Sequence, residues 1–180
     1  MDVLVAFIRE HDRVTKINRD GTPVPVATDL QVAASVLARN PVTKTSQTAP
    51  SVDLSDVHLP MVNLRGADLR GANLRDTNLS FADLTGANLR DADLTGATLT
   101  HAFMGKTDLT GAVLSYATLH ETFLGGATLT SVVMLDPDLR NANLRDANLA
   151  GVDLSHADNL PPVADLKAIT RWDADTRWPS

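Results

Sequence analysis

Leucine recurs every five residues through the middle of this chain, from Leu54 to Leu154. This position, the repeat centre, occurs 21 times in register, with Leu at 19 and Met at two. The residue two before the centre is Ala, Val or Thr in every unit but one, and the residue just before it is Asp or Asn in 13. A period of five matches neither the 3.6-residue period of a helix nor the two-residue period of a strand. The pattern predicts a backbone that changes direction once per unit.

Four such units close one coil if each unit forms one side of a square, so that positions twenty apart in the sequence stack. Two residues per unit then face inward: the centre fills the axis, and the small residue two before it fills a tighter space. Asp or Asn beside the centre is expected to hydrogen-bond nearby turn backbone, and Gly two residues after the centre suits a corner. The predicted core stack includes Leu69, Leu89, Met104, Leu109, Leu129, Met134 and Leu149.

The unit A(D/N)LXX, as in Ala67-Asp68-Leu69-Arg70-Gly71, resembles the motif of the pentapeptide-repeat family. The resemblance covers residues 52–154 without a gap. It implies an all-β solenoid, a right-handed quadrilateral β-helix of about five coils, whose stability is nearly a sum of coil-to-coil terms. An aromatic content of only 4% agrees with a core built from one small repeated unit rather than from large rings.

The repeat is flanked by segments of different character. Apolar residues at helical spacing predict two short amphipathic helices, one within residues 1–11 and one within residues 28–39. These segments are similar to a region ahead of the repeat in certain bacterial pentapeptide proteins, in which further helices and sometimes membrane spans lie upstream. We predict four parts: an N-terminal helical segment at 1–39, a linker at 40–51, the repeat domain at 52–160 and a C-terminal capping tail at 161–180.

The register slips by one residue between Leu154 and Leu160, and Pro161-Pro162 ends the coil. Residues 163–171 predict one short helix, which is followed by Trp172 and Trp178. One interpretation is that this tail covers the apolar end of the last coil. The other is a dimer contact, because related proteins that bind gyrase use their C-terminal end in this way.

The repeat departs from its own rule between residues 98 and 133, where only Asp108 keeps Asp or Asn before the centre. Positions twenty apart lie one above the other, so the departures form outward apolar stripes. Such stripes usually mark contact surfaces. Either the N-terminal helices cover them, or they form a homodimer or partner interface. The candidate residues are Met61, Phe81, Phe103 and Phe123, and on the opposite side Val113, Val133 and Leu135.

Pro137 takes an inward position, where it either forces a bulge near residues 135–138 or is tolerated by one coil. The same counting by twenty brings His101, His120 and Glu121 together, but we expect no metal site there. No phosphate loop, nucleotide fold or catalytic triad is present, so we predict neither enzyme activity nor a cofactor. There is no cysteine and no apolar run long enough to cross a bilayer, which excludes disulfides and predicts a cytoplasmic protein without a membrane span.

Acidic charge is concentrated in the repeat, since residues 51–160 hold seven basic and fourteen acidic side chains. This balance disfavours direct binding of nucleic acid. Three hypotheses remain for function. The first is a scaffold that binds an unidentified protein partner or a second copy. The second is implied by the resemblance: a DNA mimic that binds a type II topoisomerase such as gyrase and protects it from quinolones. The third is a remnant of a membrane-associated bacterial protein.

Overall fold

The computed structural model describes residues 52–157, 160 and 162–179 of the 180-residue chain. The predicted N-terminal helices and the linker lie outside these residues. Each five-residue unit contributes one bridge residue, the residue just before the centre, followed by a turn. Parallel bridges join positions that are four units apart, from Asp53–Asn73 to Thr128–Asn148. The chain therefore forms coils of four sides with one unit on each side, as the five-residue period predicts.

The core is a set of stacked leucines enclosed by the coils. Every member of the predicted core stack is buried, and Leu89, Leu109 and Leu129 are fully so. All of these residues except Met134 also belong to the backbone ladder, because the N–H of each donates to the following coil or, for Leu149, to the carbonyl oxygen of Arg171 in the tail. The N–H of Leu89, for example, lies 2.7 Å from the carbonyl oxygen of Asp108. Core packing and backbone pairing are thus established by the same repeat.

Three buried threonines replace alanine at the small inward position. The hydroxyls of Thr77, Thr107 and Thr122 donate to the carbonyl oxygens of centre leucines in the preceding coil, at 2.7 to 2.8 Å. A buried hydroxyl without a partner would destabilise the fold, so this bond makes threonine compatible with the core.

The corner residue, two after the centre, has a positive φ angle in every unit from Asp56 to Gly151. Glycine occupies many corners, as predicted, but large residues occupy others. Met61, Phe81, His101 and Glu121 share one corner column and have φ angles between 54° and 61°. This conformation is rare for bulky residues and costs about 1–3 kcal/mol at each position. These side chains are therefore retained at the corner in spite of backbone strain.

The C-terminal tail adds a partial coil to the solenoid. The helix α1 (Val163–Ile169) buries Leu166 against the core. After α1, Arg171 pairs with Asn148 and Arg177 pairs with Asp153, so the tail supplies two further sides of the ladder. Trp178 is half-buried against the core, whereas Trp172 is 47% exposed. The tail thus covers the last coil in this structure, and the dimer interpretation stays a prediction.

Two side chains fasten this tail to the repeat. The hydroxyl of Thr176 donates to the carbonyl oxygen of Leu149 at 2.9 Å, as the buried threonines of the repeat do. The carboxylate of Asp173 accepts the N–H of Gly151 at 3.0 Å and the N–H of Thr176 at 3.1 Å. The bond from Gly151 is the main cause of the lowered pKa of Asp173.

Pro137 is buried in an inward position without inserting a residue. Asp138 still pairs with Thr118, one coil earlier, and its N–H donates to the carbonyl oxygen of Ala117 at 3.0 Å. The pairing with the preceding coil therefore keeps its register, without the bulge near residues 135–138 that was one of the two alternatives. Among the described residues, no bridge joins Val133 to Asp153, on the side of the coil that precedes the side of Pro137.

Candidate protein-contact surface

Asp and Asn before the centre close the turns of the solenoid. Their side-chain oxygens accept the backbone N–H of the residue two positions later, as Asp83 does from Thr85 and Asn78 from Ser80, both at 2.9 Å. This bond is the role expected from the sequence, and it serves the fold whether the side chain is charged or neutral. Acidity at these positions is therefore partly structural.

Arginines neutralise several of these aspartates. The guanidinium of Arg75 lies 2.9 Å from the carboxylate of Asp93, and that of Arg90 lies 3.3 Å from Asp108, so each arginine reaches the next coil. Arg140 pairs with Asp138 at 2.7 Å within one unit. The pairing of arginines with aspartates of the next coil was not recognised from the sequence.

One of these ion pairs makes stability depend on pH. The side-chain hydrogen bond from Arg140 lowers the pKa of Asp138, and the backbone N–H of Arg140 adds to the effect. A carboxyl whose pKa is lower in the folded state stabilises the fold above its unfolded pKa of about 3.9. That contribution is lost as the pH falls through the folded pKa.

We therefore expect Asp138→Asn to reduce the acid sensitivity of the protein. Asparagine keeps the acceptor for the backbone bond, as Asn143 shows with Arg145 at 3.1 Å, but has no charge to titrate. The stability lost between pH 7 and pH 3, measured by urea unfolding, should shrink by less than about 1 kcal/mol because the pair is partly exposed. Arg140→Gln should act alike, and an unchanged pH dependence in both variants would contradict this assignment.

Two phenylalanines occupy the position at which most other units have Asp or Asn. Phe103 and Phe123 pair across the ladder, and their rings stack with centroids 5.1 Å apart at an interplanar angle of 6°. The two residues remain 47% and 45% exposed. On the neighbouring corner, Met61 and Phe81 are 45% and 40% exposed. These four residues, predicted from the sequence to point outward, are called the aromatic face below.

Bare backbone lies beside the two stacked rings. Gly105 and Gly125 follow Phe103 and Phe123 by two positions, in place of the Arg or Thr found on the same side of other coils. A Cβ atom at Gly105 would lie 3.6 Å from the Gly125 carbonyl oxygen, and one at Gly125 would lie 3.7 Å from that of Arg145. No side chain therefore projects from the backbone between the two phenylalanine rings and the next corner of each coil, so the surface there is flat.

The corner column that contains Met61 and Phe81 continues with two polar residues, His101 and Glu121. His101 stacks on Phe81, with centroids 4.7 Å apart and an interplanar angle of 23°. The carboxylate of Glu121 lies 3.2 Å from both His101 Nδ1 and His120 Nε2. These three residues meet as the sequence indicated. Across the described part of the chain, no group of three or more His, Cys, Asp or Glu is suited to hold a metal ion.

A smaller apolar patch lies on the opposite side. Val133 and Leu135 are 54% and 40% exposed, whereas Val113 is only partly exposed. Tyr116, which the sequence reasoning missed, belongs to this patch, is 56% exposed and donates its N–H to the Leu135 carbonyl oxygen at 2.7 Å. Tyr116 could have been recognised from the sequence, because it lies at a corner twenty residues before Asp136 and therefore next to Leu135.

The family signature described as "Pentapeptide repeats" matches residues 53–91, 92–130 and 137–158, in eight copies. These ranges cover more than half of the chain. This chain belongs to the pentapeptide-repeat family. The family's members are right-handed β-helices, which agrees with the coil of four sides described above. No curated protein matches the chain.

Solved structures of other pentapeptide-repeat proteins are similar to this chain. The protein Rfr23 from the cyanobacterium Cyanothece 51142 is 24% identical, with 79% of this chain and 78% of that one covered and a TM-score of 0.39. HetL from Nostoc sp. strain PCC 7120, involved in heterocyst differentiation regulation, is 30% identical, with 76% and 64% covered and a TM-score of 0.32. QnrB1, a plasmid-mediated fluoroquinolone resistance protein, is 18% identical, with 69% and 77% covered and a TM-score of 0.34.

Pentapeptide-repeat proteins are generally structural or interaction modules rather than enzymes. Among the described residues of this pentapeptide-repeat protein, no helix has the length and apolar character needed to cross a bilayer. The features that set it apart from a uniform repeat are the aromatic face and the tail.

Proposed function

We propose that this pentapeptide-repeat protein is a non-enzymatic scaffold that binds a protein partner through its aromatic face. The observation that carries the proposal is the stacked, half-exposed pair of Phe103 and Phe123. At this register position most other units have Asp or Asn, which closes the turn by a hydrogen bond. The two phenylalanines give up that bond and expose apolar surface, which is typical of a contact site.

The neighbouring corner extends the same surface. Met61 and Phe81 present large apolar side chains from corners with positive φ angles, a backbone conformation that polar and charged corner residues of other units also adopt. The flat backbone at Gly105 and Gly125 allows a partner to approach the rings closely.

A DNA-mimicking protein that binds gyrase and confers quinolone protection is the second candidate, and the net charge of −7 over residues 51–160 favours it. Corner aspartates such as Asp56 and Asp76 contribute to this charge. The ion pairs of Arg75, Arg90 and Arg140 count against it, because mimicry requires a surface of unneutralised negative charge. Inhibition of gyrase supercoiling at micromolar protein would support this candidate, and unchanged supercoiling with and without a quinolone would remove it.

The scaffold proposal predicts that Phe103→Ser/Phe123→Ser abolishes most partner binding. Proteins captured by the wild type from a cell extract would be purified and titrated against each variant. Truncation of two central aromatic residues should weaken binding by about 10-fold or more. Val133→Ser/Leu135→Ser, on the opposite side, is the matched control and should bind like the wild type. Equal affinity of both double variants, with circular dichroism unchanged, would refute the aromatic face as the contact surface.

A further inference from the structure

We propose that the aromatic face binds a second copy of this chain, side by side and parallel, in a dimer whose two-fold axis runs along the solenoid. Dimerisation of this kind rests on the proposed function in one respect, because both require the aromatic face to be a protein-contact surface. It adds the identity of the partner and the register of the contact. Both follow from the position of two glycines beside the stacked phenylalanines.

Glycine is rare at the position one residue after the repeat centre. Of the 21 units, two have glycine there, and these are the units of Phe103 and Phe123, with Gly105 and Gly125. The backbone does not require glycine at either position, because neither has a positive φ angle and an added Cβ would meet only ordinary van der Waals contact. Glycine without such a requirement costs conformational entropy on folding. The benefit of these two glycines is therefore the absence of a side chain.

The two glycines form a shallow socket beside the two rings, called the glycine socket below. In the same column of stacked positions, Thr85 lies one coil before Gly105 and Arg145 lies one coil after Gly125, so side chains bound the bare backbone at both ends. The glycine socket is therefore two coils long, as is the pair of stacked rings. The same surface thus carries a projecting feature and a socket of equal length.

A two-fold axis parallel to the solenoid brings these two features together. Such an axis places each coil against the same coil of the second copy and reverses the order of the columns across the face. Phe103 of each copy then lies over Gly105 of the other, and Phe123 lies over Gly125. A contact between identical patches requires a self-complementary surface of this kind. In an antiparallel pair each column would face itself, so the glycine sockets would stay empty.

The two edges of the face are also complementary in charge. Glu121 lies in the corner column at one edge and Lys106 in the corner column at the other, so the same axis places the two residues along one edge of the dimer. The side chain of Lys106 extends past Gly126, in the coil of Glu121, and its Cγ lies 3.6 Å from where a Cβ of Gly126 would be. Among the ion pairs between described residues, none involves Lys106. Its ammonium group is therefore available to Glu121 of the second copy.

The size of the face indicates that the dimer is weak. Five coils at about 4.8 Å make it about 24 Å long, and three extended residues at about 3.3 Å make it about 10 Å wide. Even with projecting side chains, this is less than the surface of about 800 Å² that a stable interface buries on each partner. We therefore expect a Kd of about 10–100 µM, so that monomer and dimer exchange at working concentrations.

Gly125→Arg in the full-length chain tests the glycine socket and leaves both phenylalanines in place. Arg145 occupies the same position one coil later, so the fold accommodates arginine in this column. The added side chain fills the socket of each copy, and we expect the Kd from sedimentation equilibrium to rise at least about 10-fold. The matched control is Thr110→Arg, at the same position of the adjacent side, where Arg70 and Arg90 occur naturally. This control should dimerise like the wild type.

A mixing experiment tests the charge contact between copies. Lys106→Glu places two carboxylates at each edge of the dimer, and Glu121→Lys places two ammonium groups there, so each variant alone should raise the Kd by about 5-fold. Both residue types already occur at corners with positive φ, so neither change is foreign to the fold. An equimolar mixture of the two variants should recover the wild-type Kd, because each heterodimer again pairs a carboxylate with an ammonium group at both edges. A mixture without recovery would overturn the parallel register.

The remaining outcomes separate this dimer from the proposed function. A wild type that stays monomeric at about 500 µM, well above the expected Kd, would overturn the dimer, as would Gly125→Arg with a wild-type Kd. A dimer that persists in Phe103→Ser/Phe123→Ser would also overturn it and would indicate a contact elsewhere. If no dimer forms while this serine variant loses the captured partner, the proposed function stands and the dimer falls. If the serine variant no longer dimerises but binds the captured protein unchanged, the dimer stands and binding of other proteins through the aromatic face falls.

Discussion

Leu109→Ala is expected to lower the free energy of unfolding by about 2–5 kcal/mol, the range for deletion of a buried leucine side chain. Leu109 is fully buried between Leu89 and Leu129, the centres one coil before and one coil after it. Its N–H donates to the Thr128 carbonyl oxygen at 2.7 Å, and the N–H of Asp108 donates to the Ala87 carbonyl oxygen at 3.0 Å, so the backbone is bonded to both neighbouring coils. A cavity at this position therefore has little freedom to collapse.

The matched control for this substitution is Leu109→Met. The natural chain already has Met104 and Met134 at repeat centres, both buried, so a change that conserves volume should cost less than about 1.5 kcal/mol. Urea unfolding followed by circular dichroism measures both variants, with the slope of the transition checked for loss of cooperativity. Equal destabilisation by Ala and Met would contradict a well-packed axial stack.

The architecture of the repeat was predictable because the five-residue spacing of the centres continues without interruption from Leu54 to Leu154. A five-residue period specifies the turn, the inward residues and the four-unit offset that brings Phe103 onto Phe123. The tail lacks that period, so its pairing was not predictable. Arg171 and Arg177 join the ladder at longer offsets from their partners than the repeat uses, because α1 and the register slip intervene.

The candidate contact surface was predictable as a set of residues but not in its energetics. Counting by twenty indicated that Met61, Phe81, Phe103 and Phe123 point outward, and all four are exposed. The glycines two residues after the centre indicated an unusual φ angle at the corners, but not that Met61 and Phe81 adopt the same angle. The stacking of His101 on Phe81 depends on side-chain rotamers and was likewise not foreseen.

The two tryptophans show the same limit. Both were candidates for a cover or a contact at the end of the solenoid, and the structure separates them. Trp178 packs against the core, while Trp172 is exposed. The two tryptophan rings contact each other edge to face, with centroids 6.1 Å apart. The ammonium group of Lys167 lies 5.2 to 5.3 Å from both ring centroids. Which ring faces inward follows from the pairing of Arg177 rather than from composition.

The second large loss of stability that we expect is that of Gly96→Ala, a substitution at a corner of the solenoid. Gly96 has a φ angle of 69°, in the region that an alanine adopts at a cost of about 1–2 kcal/mol. An added Cβ would also collide with the carboxylate of Asp76, which lies over Gly96 from the preceding coil. The carboxylate must rotate away, so we expect a loss of about 2 kcal/mol in total.

Gly86→Ala separates these two causes. Gly86 has a nearly equal φ angle of 67°, but an added Cβ there meets nothing within 4 Å, so only the backbone strain applies. We expect Gly86→Ala to cost less than Gly96→Ala, and Asp76→Gly/Gly96→Ala to recover the difference. Urea unfolding of the three variants measures each step. If Gly86→Ala and Gly96→Ala are equally destabilised, the corners are limited by φ alone and the stacking of Asp76 over Gly96 has no energetic consequence.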